Sequence, residues 1–141
     1  MISESVTGAI SESDRMKAID TNVLVRLIVQ DDARQAEKAE RFIESGAWIS
    51  TVAMAEATWV LRSVYGLRPS QIANTVAMLL EHESLVLQDS ETITAALEIF
   101  RARPSLGFSD CLMLEMARQA AHLPLGTFDR DLSQMSGAQR L

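Results

Sequence analysis

Four acids in this chain stand where the neighbouring residues are apolar or where a short apolar segment runs out. Asp20 interrupts MKAIDTNVLVRLIV, an otherwise core-like stretch over residues 16–29. Glu56 has Val52 four residues before it, Trp59 three after and Val60 four after, so on a helix it shares their apolar stripe. Asp110 aligns in the same way with Met113, Leu114, Ala117 and Ala121, and Asp129 follows the segment LPLGT. A carboxylate taken out of water is costly unless it is paired or bound to a metal. Lysine occurs only at Lys17 and Lys38, so the nearby sequence offers few cations. A divalent ion is the natural partner, and an all-oxygen acidic site without histidine or cysteine suits Mg²⁺ or Mn²⁺.

Each acid also has a plainer use. Asp20 can cap the helix that follows it, and Asp129 or Asp131 can cap the last short helix. Asp110, next to Ser109, can complement a helix N-terminus. Glu56 can reach from the edge of its stripe into water. Taken singly these readings suffice; the four acids together favour a cluster.

The elements that must position the acids alternate between short apolar runs and helical patterns. KAI is a strand, followed by a helix over NVLVRLIV. DDARQAEKAERFIES is a helix capped by Asp31 or Asp32 and stopped at Gly46. AWIS is a strand, and Thr51 is the expected cap of VAMAEATWVLRSVY. Pro69 opens a helix through Leu80, SLVLQ is a strand, and SETITAALEIFRAR is a helix ended by Pro104. A helix over SDCLMLEMARQAAH, a strand over LPLGT and a turn with a short helix over FDRDLSQM complete the chain. Strands separated by helices imply crossover connections: an α/β fold with an open, mainly parallel sheet of about four to five strands, flanked by helices on both faces. In such a sheet the strands' C-terminal ends line the edge where ligands bind; Asp20 and Asp129 fall on that edge, and an α/β fold allows the four acids to meet without requiring it.

Composition sets the outer limits. The chain has 141 residues, 48% hydrophobic and 23% charged, enough for one domain with a core. No apolar run approaches the ~18 residues of a membrane span, and the single Cys111 fits a reducing cytoplasm. His82 and His122 are far apart with no cysteine beside them, so zinc is not expected. The net charge of −6 argues against a generally basic surface for nucleic acid. Residues 1–15, MISESVTGAISESDR, carry three acids, one base and four serines and read as a flexible extension ahead of a domain over 16–141.

AIDTNVLVRL, then AE early in a helix, then FSDCLMLEMA, then TFDRDL resemble, in order and spacing, the PIN-domain ribonucleases, and among these the VapC-type toxins of toxin–antitoxin pairs. The resemblance runs from Met16 to Leu141 and implies a PIN-like fold. It implies a metal-dependent endoribonuclease whose four family acids fall on Asp20, Glu56, Asp110 and Asp129. Asp20, Asp110 and Asp129 then take the metal, and Glu56 orients or deprotonates the attacking water. Thr21, Asn22 and Thr127 match the polar residues that support the cluster, with Asp131 as a further acid. The products implied are a 5′-phosphate and a 3′-hydroxyl. A cognate antitoxin is the implied partner, its C-terminal segment lying in a groove near the acids.

A net acidic chain must hold RNA through the metal and a local basic rim. Arg26, Arg62 and Arg130 are the leading candidates, with Arg68, Arg101 and Arg103 behind them. The apolar surplus of VLVRLIV suggests a partner groove, and IANTVAMLL a homodimer. Cys111 has no histidine beside it in sequence and reads as a packed small residue. A dehalogenase-like phosphatase needs an acid where Asn22 stands, a phosphorelay receiver needs a late lysine, and none follows Lys38. A non-catalytic module whose acids are structural caps is the remaining rival.

Overall fold

The structure, a computed structural model, describes residues 16–141; the extension expected over 1–15 lies outside them. The elements run β1 (Lys17–Ala18), α1 (Thr21–Val29), α2 (Ala33–Ile43), β2 (Ala47–Ile49), α3 (Thr51–Ser63), α4 (Pro69–Glu81), β3 (Leu85–Leu87), α5 (Ser90–Ala102), α6 (Phe108–Gln119), β4 (Leu125–Thr127), a short 3-10 turn (Leu132–Gln134) and β5 (Ala138–Arg140). The α/β class and the parallel pairing agree with the sequence, but the five strands divide. β1, β2 and β3 form one sheet in that order, and β4 and β5 form a separate parallel pair. β5 was not expected, since Ala138–Arg140 carries no apolar alternation. β4 pairs with it along the register Leu125↔Ala138 to Thr127↔Arg140.

Local chemistry sets the helix starts. Asp20 caps α1, its Oδ1 accepting the Val23 N–H at 2.9 Å. Asp32 caps α2 through Gln35 N–H at 3.0 Å. The cap of α3 is Ser50 rather than Thr51: Ser50 Oγ accepts Ala53 N–H at 3.0 Å. Thr51 is already helical and buried, and its own N–H donates to Gln88 Oε1 at 3.0 Å, tying α3 to the end of β3. Pro69 opens α4, where its missing N–H costs nothing.

The core gathers one face of each helix. α3 packs against both α1 and α6, while α5 packs against α4 and α6. The buried side of α3 is Ala53, Met54, Ala57, Thr58 and Leu61, with the Thr58 hydroxyl donating to the Met54 carbonyl. In the sheet, Ala47, Ile49, Leu85 and Leu87 are buried. The other face is less covered than expected: Trp48 is half-buried and Val86 is 48% exposed. The apolar surplus read as partner surface is largely spent internally. Leu24 and Val25 are buried, Val23, Leu27, Ile28 and Val29 pack partly against the core, and α4 buries Ile72, Ala73, Val76 and Leu79. Among the described residues no helix is long and apolar enough to cross a membrane.

The caps and core make separable contributions. Ser50→Ala is expected to cost ~1 kcal/mol, and Leu61→Ala, at a fully buried position, ~2–5 kcal/mol. Urea titrations of both variants, read as midpoint shifts at unchanged slope, check the order.

Candidate active site

α3 carries the residue that organises the site. Its outward stripe holds Glu56, with Val52 and Trp59 exposed at 65% and 62%. The sequence reading had the shared face right and its direction wrong: Val52, Glu56 and Trp59 look outward, and the core takes the smaller residues between them. On the neighbouring helix, Thr21 donates its Oγ1–H to Glu56 Oε1 at 2.7 Å, which joins the first turn of α1 to the middle of α3. Asp20 is therefore one residue from the partner of Glu56, with one carboxylate oxygen committed to the α1 cap.

A second pair lies between α6 and the end of β4. Asp110, in the first turn of α6, is half-buried. Its carboxyl is pushed above the ordinary range, first by burial and then by the charge of Asp129, against an opposing pull from Arg62. Asp129 is held by its surroundings: its N–H donates to Thr127 Oγ1 at 2.9 Å, and its Oδ1 accepts Leu132 N–H at 2.9 Å. Thr127 thus supports the site through the backbone of Asp129. Gly107 caps α6 without a side chain, and a methyl group placed there would lie 3.6 Å from Arg62 Nη1 and 3.7 Å from Asp110 Oδ2.

Arg26 and Asp131 make no hydrogen bond to either pair. Arg26 is engaged by its own neighbours: it bonds Gln35 Oε1 at 2.8 Å, Asp31 Oδ1 at 2.9 Å and the Tyr65 hydroxyl at 3.0 Å. That network closes the turn between α1 and α2 and occupies the guanidinium proposed for RNA. Asp131 is exposed and makes no cap bond from its side chain. Asn22 is exposed at the mouth of a cleft of about 560 Å³ between α1 and α2, which also includes Asp20, Arg26, Lys38 and Phe42. Arg62 and Arg130 are exposed.

Contrary to the expectation of burial, Asp20, Glu56 and Asp129 are exposed; among the described residues the buried carboxylate is Glu115, at 6% exposure, which the apolar stripes did not single out. It accepts from Arg118 Nε at 3.0 Å, and Arg118 goes on to donate to the Ser136 carbonyl at 2.8 Å. Glu115 is a structural ion pair fastening α6 to the turn before β5. The signal was available, since an arginine three residues on shares the same helix face. Cys111 is as expected: it is buried, and burial pushes its thiol up to about 12, where it is no nucleophile.

No three acidic, histidine or cysteine side chains stand close enough, among the described residues, to surround one ion. The four acids form two pairs, Asp20 with Glu56 through Thr21, and Asp110 with Asp129. The donor set still fits a hard cation, because Mg²⁺ is commonly held by one or two carboxylates, water and substrate phosphate.

The sequence profile of the family described as PIN domain matches residues 17–138. The chain belongs to the PIN-domain family. The match runs from β1 into β5 and so includes all four acids. PIN domains are in general nucleases that use divalent metal ions, which sets hydrolysis of nucleic acid as the class of activity. No curated protein and no solved structure is significantly similar to the chain.

Asp110 supplies a test of the acidic pair. A carboxyl whose folded pKa is raised weakens folding once it must ionise. The penalty is complete above the folded value and disappears below the ordinary carboxylate range. Asp110→Asn is therefore expected to melt at the same or higher temperature than the parent at neutral pH in chelator, with the difference closing as the solution becomes acidic. Asp20→Asn is expected to be near neutral, because asparagine also caps helices. Millimolar Mg²⁺ or Mn²⁺ should raise the parent's melting temperature by binding the folded form, and Asp110→Asn should lose most of that gain. Melts of the three proteins with chelator and with metal decide it; a lower-melting Asp110→Asn beside a metal-indifferent parent contradicts the metal role.

Proposed function

We propose that the chain is a Mg²⁺- or Mn²⁺-dependent endoribonuclease toxin of the VapC kind, cytoplasmic, and restrained by a cognate antitoxin. The observation that carries the reading is the Asp110–Asp129 pair: two like charges near enough to act on each other, one of them half-buried, with only Arg62 opposing. A structure gains nothing from that repulsion unless a cation joins it.

Asp110 and Asp129 would hold the ion, and the free oxygen of Asp20 would act on it through water. When bound, the ion neutralises charge developing on the phosphate and acidifies water. Glu56 is arranged to receive the proton. Its Oε1 is occupied by Thr21 Oγ1–H, which fixes the carboxylate's orientation and leaves Oε2 for a water. Water oxygen forms a bond to phosphorus, its proton passes to Glu56, and the bond from phosphorus to the ribose O3′ breaks. O3′ takes up a proton, so the products carry a 5′-phosphate and a 3′-hydroxyl.

The cleft between α1 and α2 supports the antitoxin part of the proposal. Ile19, Val23, Ala39 and Phe42 give it an apolar wall that suits an apolar peptide segment, with Asp20, Arg26 and Lys38 beside it. A homodimer would pair through α4, where Met78 is the large exposed apolar residue. A second reading, a non-catalytic module with structural acids, is favoured by the caps that Asp20 and Asp129 make. Neither cap accounts for Glu56 or Asp110.

The direct experiment is cleavage of RNA by purified protein with Mg²⁺ or with chelator. Cleavage is expected only with metal, leaving 5′-phosphate ends. Glu56→Gln should reduce the rate by about 10²–10⁴-fold, the range for a general base, and Asp110→Asn should abolish it. Cleavage that survives both chelator and Glu56→Gln would return the acids to a capping role. Growth arrest on expression, relieved by a co-expressed neighbouring gene product, tests the toxin assignment separately.

A further inference from the structure

The outward stripe of α3 continues past Glu56 to Trp59 and Arg62, at three and six residues on, so the three share one helical face. Trp59 and Arg62 line one shallow cleft with Gly107, Phe108 and Ser109 at the start of α6. Arg62 Nη1 and Asp110 Oδ2 both approach the bare α-carbon of Gly107. Asp110 feels the charge of Asp129, and Phe128, the residue before Asp129, is 79% exposed. An aromatic and a cation of α3 thus stand beside an acid of α6, and the acid's like-charged neighbour follows an exposed aromatic in the chain. A 62% exposed tryptophan in the cleft and a 79% exposed phenylalanine next to Asp129 in the chain are unspent apolar surface.

We infer that this row is a platform for an unpaired stretch of RNA, with one base stacked on Trp59, the next phosphate on Arg62, and a base beyond the acid pair on Phe128. The inference rests on the endoribonuclease reading and deepens it. Aromatic rings outside a core take bases face to face, and every base offers such a face, so the grip is insensitive to sequence. A paired base is already stacked on both sides and cannot use them. Arg62 supplies the charge complementarity: it answers a phosphate diester on a chain that is otherwise net acidic.

The test separates binding from cleavage. In chelator at low salt, a short oligo-adenylate should quench tryptophan emission of the full chain, because Trp59 is exposed while Trp48 is half-buried. Trp59→Leu should lose the quench and bind about ten-fold or more weakly. Arg62→Gln should bind more weakly and flatten the dependence of log affinity on log salt by about 0.7, the share of one phosphate on a single strand. With Mg²⁺, both variants should raise KM, and a duplex of the same length should compete poorly. Unchanged affinity and salt slope in both variants, or equal competition by duplex, overturns the platform. So does a Trp59→Leu variant that shifts a dimer to monomer while keeping RNA affinity, because the face then belongs to a second copy of the chain. A parent that binds with quenching but never cleaves removes the nuclease reading and leaves the platform. A parent that cleaves, with KM unchanged in both variants, does the reverse.

Discussion

The arrangement depends on α3 being packed on two sides at once. It lies against α1 and α6, and each contact fixes one half of the acidic site. On the α1 side the contact delivers Thr21 to Glu56. On the α6 side it brings Arg62 to Asp110. The small residues Ala53, Ala57 and Thr58 on its inner face let both neighbours approach closely, and Leu61 fills the far end. A helix with bulkier inner residues would push α1 and α6 apart, and the two acid pairs with them.

Two of the acids show that structural and chemical uses of a carboxylate are compatible. Asp20 and Asp129 each give one oxygen to a backbone N–H three residues on. The bond holds the side chain in one rotamer and directs the second oxygen outward. A capping carboxylate is thus pre-oriented at no further cost in side-chain entropy, which is what a ligand for a weakly held cation requires. Asking whether such a residue is a cap or a ligand sets apart two jobs that its two oxygens can do together.

Much of the chain was legible because its helices are strongly periodic and its stops are marked by Gly46, Gly66 and Pro104. What failed, failed for identifiable reasons. Periodicity groups Val52, Glu56 and Trp59 on one face but carries no sign, and here the inner face was the one made of alanines. β5 has no apolar pattern, because it is defined by backbone pairing with β4 alone. Arg26 looked free because its partners, Asp31, Gln35 and Tyr65, come from the following turn, the next helix and the end of α3. The division of the acids into two pairs depends on relative placement of α1, α3, α6 and β4, which no local pattern encodes.

The strands are short: two residues in β1 and three in each of the others. An intruding strand meeting the outer side of β1 or β3 would find two or three positions to pair with before the chain turns into helix. Val86, exposed at 48%, would otherwise be an invitation to such contact. Brevity at both margins keeps a sheet with an incompletely covered face from recruiting copies of itself, so the same economy that leaves room for six helices also guards the protein against fibril-like association.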